Sequence, residues 1–171
     1  MNRYVVAVTL SLALSLGACK KKAPESIPLP PQDTTTTTGT TATPTPTGAQ
    51  PGSQAHFLAA MMGADTIYFD TDQYNIDGED AAALRKQAQY LIANTMARAT
   101  IEGHADERGT RDYNLALGER RANAARNYLV SLGVPETRLR TVSYGEEQPK
   151  DIGSTEAAWA RNRRAVTVMI N

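Results

Sequence analysis

The chain has 171 residues, with 18 Lys and Arg against 18 Asp and Glu, and 41% of its residues are apolar. That length suits one domain with appendages. A net charge of zero lacks the basic stripe by which nucleic-acid binders hold phosphate, so no nucleic-acid partner is expected. One cysteine excludes a disulfide framework and a cysteine-based zinc site within the chain, two histidines leave little for a metal cluster, and no metal or other cofactor is expected.

In chain order, residues Met1 to Ala18 read as an export signal. Arg3 supplies the positive start, and Val5 to Leu16 is a run of 12 apolar, Ser and Thr residues. As a helix it spans about 18 Å, short of the ~30 Å hydrocarbon core, which suits a signal segment and not a permanent membrane span. The run closes on Leu16-Gly17-Ala18, small residues that let a peptidase approach the backbone, and Cys19 follows at once. The stretch resembles the lipobox of bacterial lipoproteins. That resemblance implies cleavage after Ala18, diacylation of Cys19 as the new N-terminus and, with Lys20 next instead of Asp, sorting to the outer membrane. Several acyl chains at ~0.8 kcal/mol per buried CH₂ hold a protein firmly there.

Residues 19–55 form a tether. Seven of the nine prolines lie at or before Pro51, and Thr34 to Thr47 contain ten threonines in fourteen positions. No apolar periodicity runs through this segment, so it cannot bury enough surface to offset its ordering entropy. A flexible chain of ~35 residues averages roughly 30–35 Å end to end, and fully extended it reaches on the order of 120 Å.

Residues 56–171 carry the folded domain. Thr66 to Phe69 reads as a strand, and Asp77 as the N-cap of a helix running to about Asn94, with Leu84, Ala88 and Leu91 at helical spacing. Ala99 to His104 is a second strand. A second helix spans about Asp112 to Leu132 and stops at Gly133, with Pro135 beyond. Arg140 to Tyr144 is a third strand, Thr155 to Arg161 a short helix, and Ala165 to Ile170 a fourth strand with Val166, Val168 and Ile170 on one face. The order strand–helix–strand–helix–strand–(helix)–strand predicts an α/β (α+β) two-layer sandwich, its helices packed on one four-stranded sheet. The opposite sheet face is read as poor in apolar residues.

The second helix contains a conflict. Arg121 and Asn114 fall within the apolar stripe that Leu117, Ala124, Ala125 and Tyr128 define, whereas Arg120 lies to one side and is expected in solvent. A guanidinium facing the core must find a partner. Asp106, in the loop Gly103-His104-Ala105-Asp106-Glu107-Arg108-Gly109-Thr110 just before this helix, is the nearest candidate. Either Asp106 and Arg121 form an internal salt bridge, or the two clamp a zwitterion. Arg forks a carboxylate through two parallel N–H donors and Asp accepts from an ammonium, so an amino-acid terminus suits the pair. His104 is expected to satisfy a hydrogen bond at its strand end, Glu146-Glu147 to form a solvated turn, Trp159 to anchor core or hinge, and Met61-Met62 to pack at the domain's leading edge. Nothing resembles a nucleophile elbow, and no enzyme is expected; a hydrolase would need an acid/base pair that this loop and helix lack.

Ile101-Glu-Gly-His-Ala-Asp-Glu-Arg-Gly-Thr110, Tyr113-Asn-Leu-Ala-Leu-Gly-Glu-Arg-Arg-Ala122, Val142-Ser-Tyr-Gly-Glu-Glu147 and Asn162-Arg-Arg-Ala-Val166 together resemble the OmpA-like domain family, in its branch of peptidoglycan-associated lipoproteins. The likeness runs from about Ile67 to Ile170. It implies non-covalent binding of peptidoglycan through the meso-diaminopimelate of the stem peptide. Asp106 would take its ammonium and Arg121 its carboxylate, Asn114 and Leu117 would line the pocket, Asp72 would stand at the rim, Asn162 and Arg164 would support the site, and Arg164 would itself be among the peptidoglycan-binding residues. The resemblance also implies the TolB propeller and other Tol proteins of the Tol–Pal system as partners, in envelope integrity and cell division. An OmpA-like lipoprotein of another envelope complex, with the same pocket, is the alternative.

Overall fold

The computed structural model describes residues 48–170. The export signal, Cys19 and the tether up to Thr47 lie outside the described residues. The elements run α1 (Gln54–Met61), β1 (Thr66–Tyr68), α2 (Gly78–Ala93), β2 (Arg98–His104), α3 (Arg111–Ser131), a 3-10 turn (Glu136–Arg138), β3 (Leu139–Gly145), α4 (Glu156–Asn162) and β4 (Arg164–Ile170). The four strands and the three expected helices fall within two residues of their expected places. The fold is the α/β arrangement that the sequence predicts, with one additional helix ahead of it.

Local chemistry sets these boundaries. Asp77 accepts from the Asp80 amide at 2.8 Å while the Asp80 side chain accepts from the Asp77 amide, a reciprocal cap that starts α2. Thr110 and Thr155 cap α3 and α4 in one direction only, their hydroxyls accepting from the Tyr113 and Ala158 amides. Past the end of α3 the chain turns at Gly133, whose φ of +97° suits glycine. The additional helix, α1, begins inside the stretch assigned above to the tether. Ser53 caps it by accepting from the His56 amide, and Phe57 and Met61, one turn apart, are buried. Met62 is instead 86% exposed, so only the first of the two methionines packs.

The sheet has the order β1-β4-β2-β3, with β4 antiparallel to both neighbours and β2 parallel to β3. α3 lies on β2 and β3, α2 on β1 and α3, and α1 on α2 and β4. Between them Phe57, Leu84, Leu91, Ile101, Ala122, Leu129 and Met169 form one core. The fourth strand alternates as expected, with Val166, Val168 and Ile170 on one face, and that face is the outer one: Ala165, Thr167 and Met169 are the buried set, whereas Val166 and Val168 are half-buried and Ile170 is exposed. Alternation defines two faces of a strand but does not say which is inside. Thr167 turns inward because its hydroxyl donates to the buried Gln87 Oε1 at 2.7 Å, and Gln87 donates to the Ala64 carbonyl at 2.6 Å. The open sheet face is consequently more apolar than expected, pairing Val166 and Val142 with Glu102 across the strands.

Two features of this fold position the site. Gly103 and Gly118 bring the backbones of β2 and α3 into contact, and a Cβ on either would overlap the other's carbonyl. That contact presses the N-terminal half of α3 against the end of β2. The segment Gln50 to Ser53, where the described chain enters, lies beside Met96, Ala97 and Ile170. There β2 starts and β4 finishes, Arg98 pairing with Ile170. β2 is seven residues long, which puts its His104 end roughly 20 Å away in an extended strand.

Candidate functional site

β2 ends with a register shift at Gly103/His104, and Ala105 continues toward β3 by donating to the Gly145 carbonyl at 2.8 Å. The next residue, Asp106, is buried at the edge of a depression of about 320 Å³ that Asp72, Asn114, Leu117, Arg121, Arg108 and Arg163 help to line. Five of the sequence-derived residues (Asp72, Asp106, Asn114, Leu117 and Arg121) therefore come together, from the loop after β1, the end of β2 and one face of α3.

Arg121 is fully buried. Its Nε donates to the Gln73 carbonyl at 2.9 Å, Nη1 to that of His104 at 2.8 Å and Nη2 to that of Asp70 at 3.1 Å, while its guanidinium lies 5.2 Å from the centre of the Phe69 ring. A guanidinium has five N–H donors, so one remains on each terminal nitrogen. Burial and the repulsion of Arg163 bring its pKa down to about 10, and the group stays charged at neutral pH.

The partner expected from the sequence is not the one found. Asp106 makes no ion pair with Arg121; its partners are Arg108 and Arg163. Oδ1 accepts from the Arg108 amide at 3.0 Å and Arg108 Nε at 3.1 Å, and Oδ2 accepts from Arg108 Nη2 at 2.7 Å and Arg163 Nη1 at 3.2 Å. Burial by itself raises the Asp106 carboxyl, but these donors outweigh it and hold the group below the usual carboxylate range. Sequence reading missed both arginines. Arg108 was legible as the third residue of an Asp-x-Arg turn, with the carboxylate and the guanidinium two residues apart.

Arg163 was hidden by its neighbour. Arg164, expected to support the site, is the first residue of β4 and projects to the open sheet face, where it donates to the Asn162 and Gln148 carbonyls. The preceding Arg163 caps α4 and turns into the depression, donating also to the Phe69 carbonyl at 3.0 Å and to Glu156 at 3.0 Å. Asn162 supports from a distance: its side chain accepts from the Lys150 and Asp151 amides and donates to the Asp151 carbonyl, fastening the loop between β3 and α4.

Asn114 is buried, and its amide donates to the carbonyls of Asp106 and Arg108, at 3.1 and 3.0 Å, and to Glu146. It fixes the loop that carries Asp106. Glu146 is therefore not a purely solvated turn residue, and Glu147 pairs with Arg111. Leu117, 3% exposed, gives the depression an apolar wall. Asp72 stands at the rim in a left-handed conformation, φ +57°, and accepts from the Tyr113 hydroxyl at 3.1 Å. Trp159 is outside the core and lies against Arg108, whose Cζ is 4.3 Å from the centre of its ring, with its Nε1 donating to Glu107 at 3.0 Å.

His104 corrects another expectation. It is 1% exposed, stacks on Tyr144 at 5.5 Å, and neither ring nitrogen has a hydrogen-bond partner among the described residues. Burial first, and the Arg164 guanidinium second, push its pKa down to about 4 from an ordinary 6.5. A group whose folded pKa is depressed is neutral and fully accommodated above 6.5, and its contribution is lost as pH falls from 6.5 toward 4. The wild-type domain is expected to lose on the order of 2–3 kcal/mol relative to His104→Phe across that window, measured by urea unfolding at pH 7 and pH 4.5. Equal pH slopes in the two proteins would contradict it. Asp80 and Glu102, both raised by burial, act in the opposite direction; the comparison between variants cancels Asp80, and Glu102, whose Oε2 lies 3.9 Å from His104 Nε2, is removed from it by making both proteins with Glu102→Gln. Asp106, being depressed, acts below the ordinary carboxylate range and so outside this window.

A larger cleft of about 530 Å³ lies between β1 and α2. Its carboxylates Asp77 and Asp80 are engaged in capping, and Lys86 Nζ donates to the Met61 carbonyl at 2.7 Å. Among the described residues no cluster of three or more His, Cys, Asp or Glu is placed to hold a metal ion, and no helix is long and apolar enough to cross a membrane. The chemistry of the 320 Å³ depression is distinct: a guanidinium and a carboxylate, both buried, each held by groups other than the other. Such a site is suited to a ligand that carries ammonium and carboxylate together.

The model of the OmpA family matches residues 68–163. The sequence is 46% identical, over 168 residues covering 98% of this chain and 88% of the relative, to a peptidoglycan-associated lipoprotein of Rhizobium meliloti (strain 1021). It is 44% identical over the same shares to one of Agrobacterium fabrum (strain C58 / ATCC 33970). The crystal structure of the peptidoglycan-associated lipoprotein from Burkholderia pseudomallei superposes with a TM-score of 0.63 at 42% identity, covering 66% of this chain and 96% of that one. These relatives are peptidoglycan-associated lipoproteins by name.

Proposed function

Because the chain belongs to the OmpA family, we propose that it binds peptidoglycan non-covalently through the diaminopimelate of the stem peptide and ties the outer membrane to the cell wall. The observation that carries this reading is the depression in which Asp106 and Arg121 are both buried yet not paired with each other. The free end of a diaminopimelate side chain bears an ammonium and a carboxylate on one carbon. Arg121 takes the carboxylate on its two remaining donors, Asp106 takes the ammonium, Leu117 covers the methylenes, Asn114 holds the loop and Asp72 closes the rim. The relatives are named as peptidoglycan-associated, which supports peptidoglycan as the polymer bound.

The entry point of the chain fits a tether. Gln50 to Ser53 lie at one end of β2 and the depression at the other, so a domain pulled by its N-terminal segment presents the depression away from the pull. Cys19, acylated after removal of residues 1–18, is the anchor, residues 19–55 the leash, and the Tol proteins, TolB foremost, the partners at the periplasmic side. Cys19→Ser is expected to leave the domain folded and to move it from the membrane to the soluble fraction on fractionation. Full retention on the membrane would rule out this anchor.

Sacculi test the ligand. Those with diaminopimelate in the stem peptide are expected to sediment the protein, and those with lysine there, which lacks the second carboxylate, are not. Equal sedimentation by both would overturn the assignment.

A further inference from the structure

Asp106 presents no vacant acceptor in the free domain. A carboxylate has about four lone-pair sites, and four N–H donors fill them: the Arg108 amide and Nε on Oδ1, and Arg108 Nη2 and Arg163 Nη1 on Oδ2. An arriving ammonium must replace one of them. The Arg108 amide is part of the turn that places Asp106. Arg163 has a side chain only 7% exposed, and the Phe69 carbonyl and Glu156 fix its other nitrogens. The Arg108 guanidinium is different. Its side chain is 37% exposed, and its remaining contacts are Thr71 Oγ1 at 3.3 Å, Glu156 at 3.6 Å and the face of the Trp159 ring, 4.3 Å from its Cζ.

Resting on the diaminopimelate reading above, we propose that Arg108 is a stand-in cation: it occupies Asp106 in the free domain, the ammonium of the ligand displaces it, and it thereby sets the affinity and the demand for a charged amine. Trp159 is the surface on which it turns. The indole is pinned by Glu107 through Nε1 at 3.0 Å, and Glu156 lies close enough to receive the guanidinium as it leaves Asp106. A ligand without an ammonium offers Asp106 nothing in exchange and leaves the latch closed. A self-occupied site binds with an apparent affinity reduced by the fraction of molecules that are open.

Trp159 is the sole tryptophan of the sequence and reports the movement directly. The full chain, solubilised in detergent, is titrated with meso-diaminopimelate, following heat and tryptophan emission together. The wild type is expected to bind with a shift of Trp159 emission. Arg108→Ala, which keeps the backbone bond to Asp106, is expected to bind about tenfold tighter with that shift abolished, and Trp159→Leu to bind several-fold tighter as well. Wild-type binding with no emission change, or weaker binding by Arg108→Ala, would make Arg108 a bystander or a direct ligand holder and overturn the proposal. Absence of binding by both wild type and Arg108→Ala would remove the diaminopimelate reading itself, and the latch with it.

Discussion

Arg121→Lys is expected to cost the domain both stability and murein binding, although the charge is kept. The wild-type guanidinium donates in three directions, to carbonyls of the loop after β1 and of the end of β2. An ammonium on a shorter reach is a point charge and cannot span the same planar set. At least two of the three carbonyls lose their partner; that of His104 is buried whereas Asp70 and Gln73 are exposed and can turn to water, so a loss of about 1–3 kcal/mol in urea unfolding is expected. The two remaining Arg121 donors, assigned to the ligand carboxylate, go as well, and affinity for a muropeptide is expected to fall at least ~10-fold, since forked charge-assisted bonds are the strong ones. Calorimetry at a temperature where the variant is folded separates the two effects. A folded variant with wild-type affinity would contradict the role of Arg121.

Asp106→Asn tests the opposite end of the site. The amide is isosteric and still accepts from the Arg108 backbone, so the turn survives, but Arg163, buried, loses its buried counter-charge and keeps only the exposed Glu156. A stability loss on the order of 1–3 kcal/mol is expected, less than for an ion left wholly unpaired because Glu156 stays. Affinity for diaminopimelate is expected to drop roughly 10-fold, since a charge-assisted bond to the ammonium, about 1.5–3 kcal/mol, is replaced by a neutral one of about 0.5–1.5 kcal/mol. The direction distinguishes the two neighbours in the loop: loss of the Asp106 charge weakens binding, whereas loss of the Arg108 side chain strengthens it. Matching falls in both variants would mean that the loop acts as a unit and that Asp106 has no role of its own.

Much of the fold was legible because its signals are local. Asp77 before α2 and Gly133 after α3 act within a few residues of themselves, and their positions can be read without knowing what the helices touch. α1 was obscured because proline and threonine dominate the composition up to Pro51, although Ser53, Phe57 and Met61 already carry a cap and a buried pair. The inner face of β4 was not legible, because the choice rests on Gln87 reaching Thr167 from a helix 80 residues away in sequence.

The site divides along the same line. Arg121 was conspicuous as a charge in an apolar stripe, but its partners are backbone carbonyls 17, 48 and 51 residues away, which side-chain chemistry cannot announce. The arginine doublet at 163 and 164 illustrates a one-residue problem. Where a helix gives way to a strand, adjacent side chains point to different sides of the sheet, and the geometry of that junction sent Arg163, not Arg164, into the depression.

The clamp between Asp106 and Arg121 is tested most directly by co-sedimentation of the protein with purified sacculi, with and without excess free meso-diaminopimelate. The clamp predicts that the free amino acid releases the protein from the sacculi, because it presents the same ammonium and carboxylate to the same two side chains. Sedimentation that persists unchanged at saturating free diaminopimelate would contradict it, and would place murein recognition on a surface other than this depression.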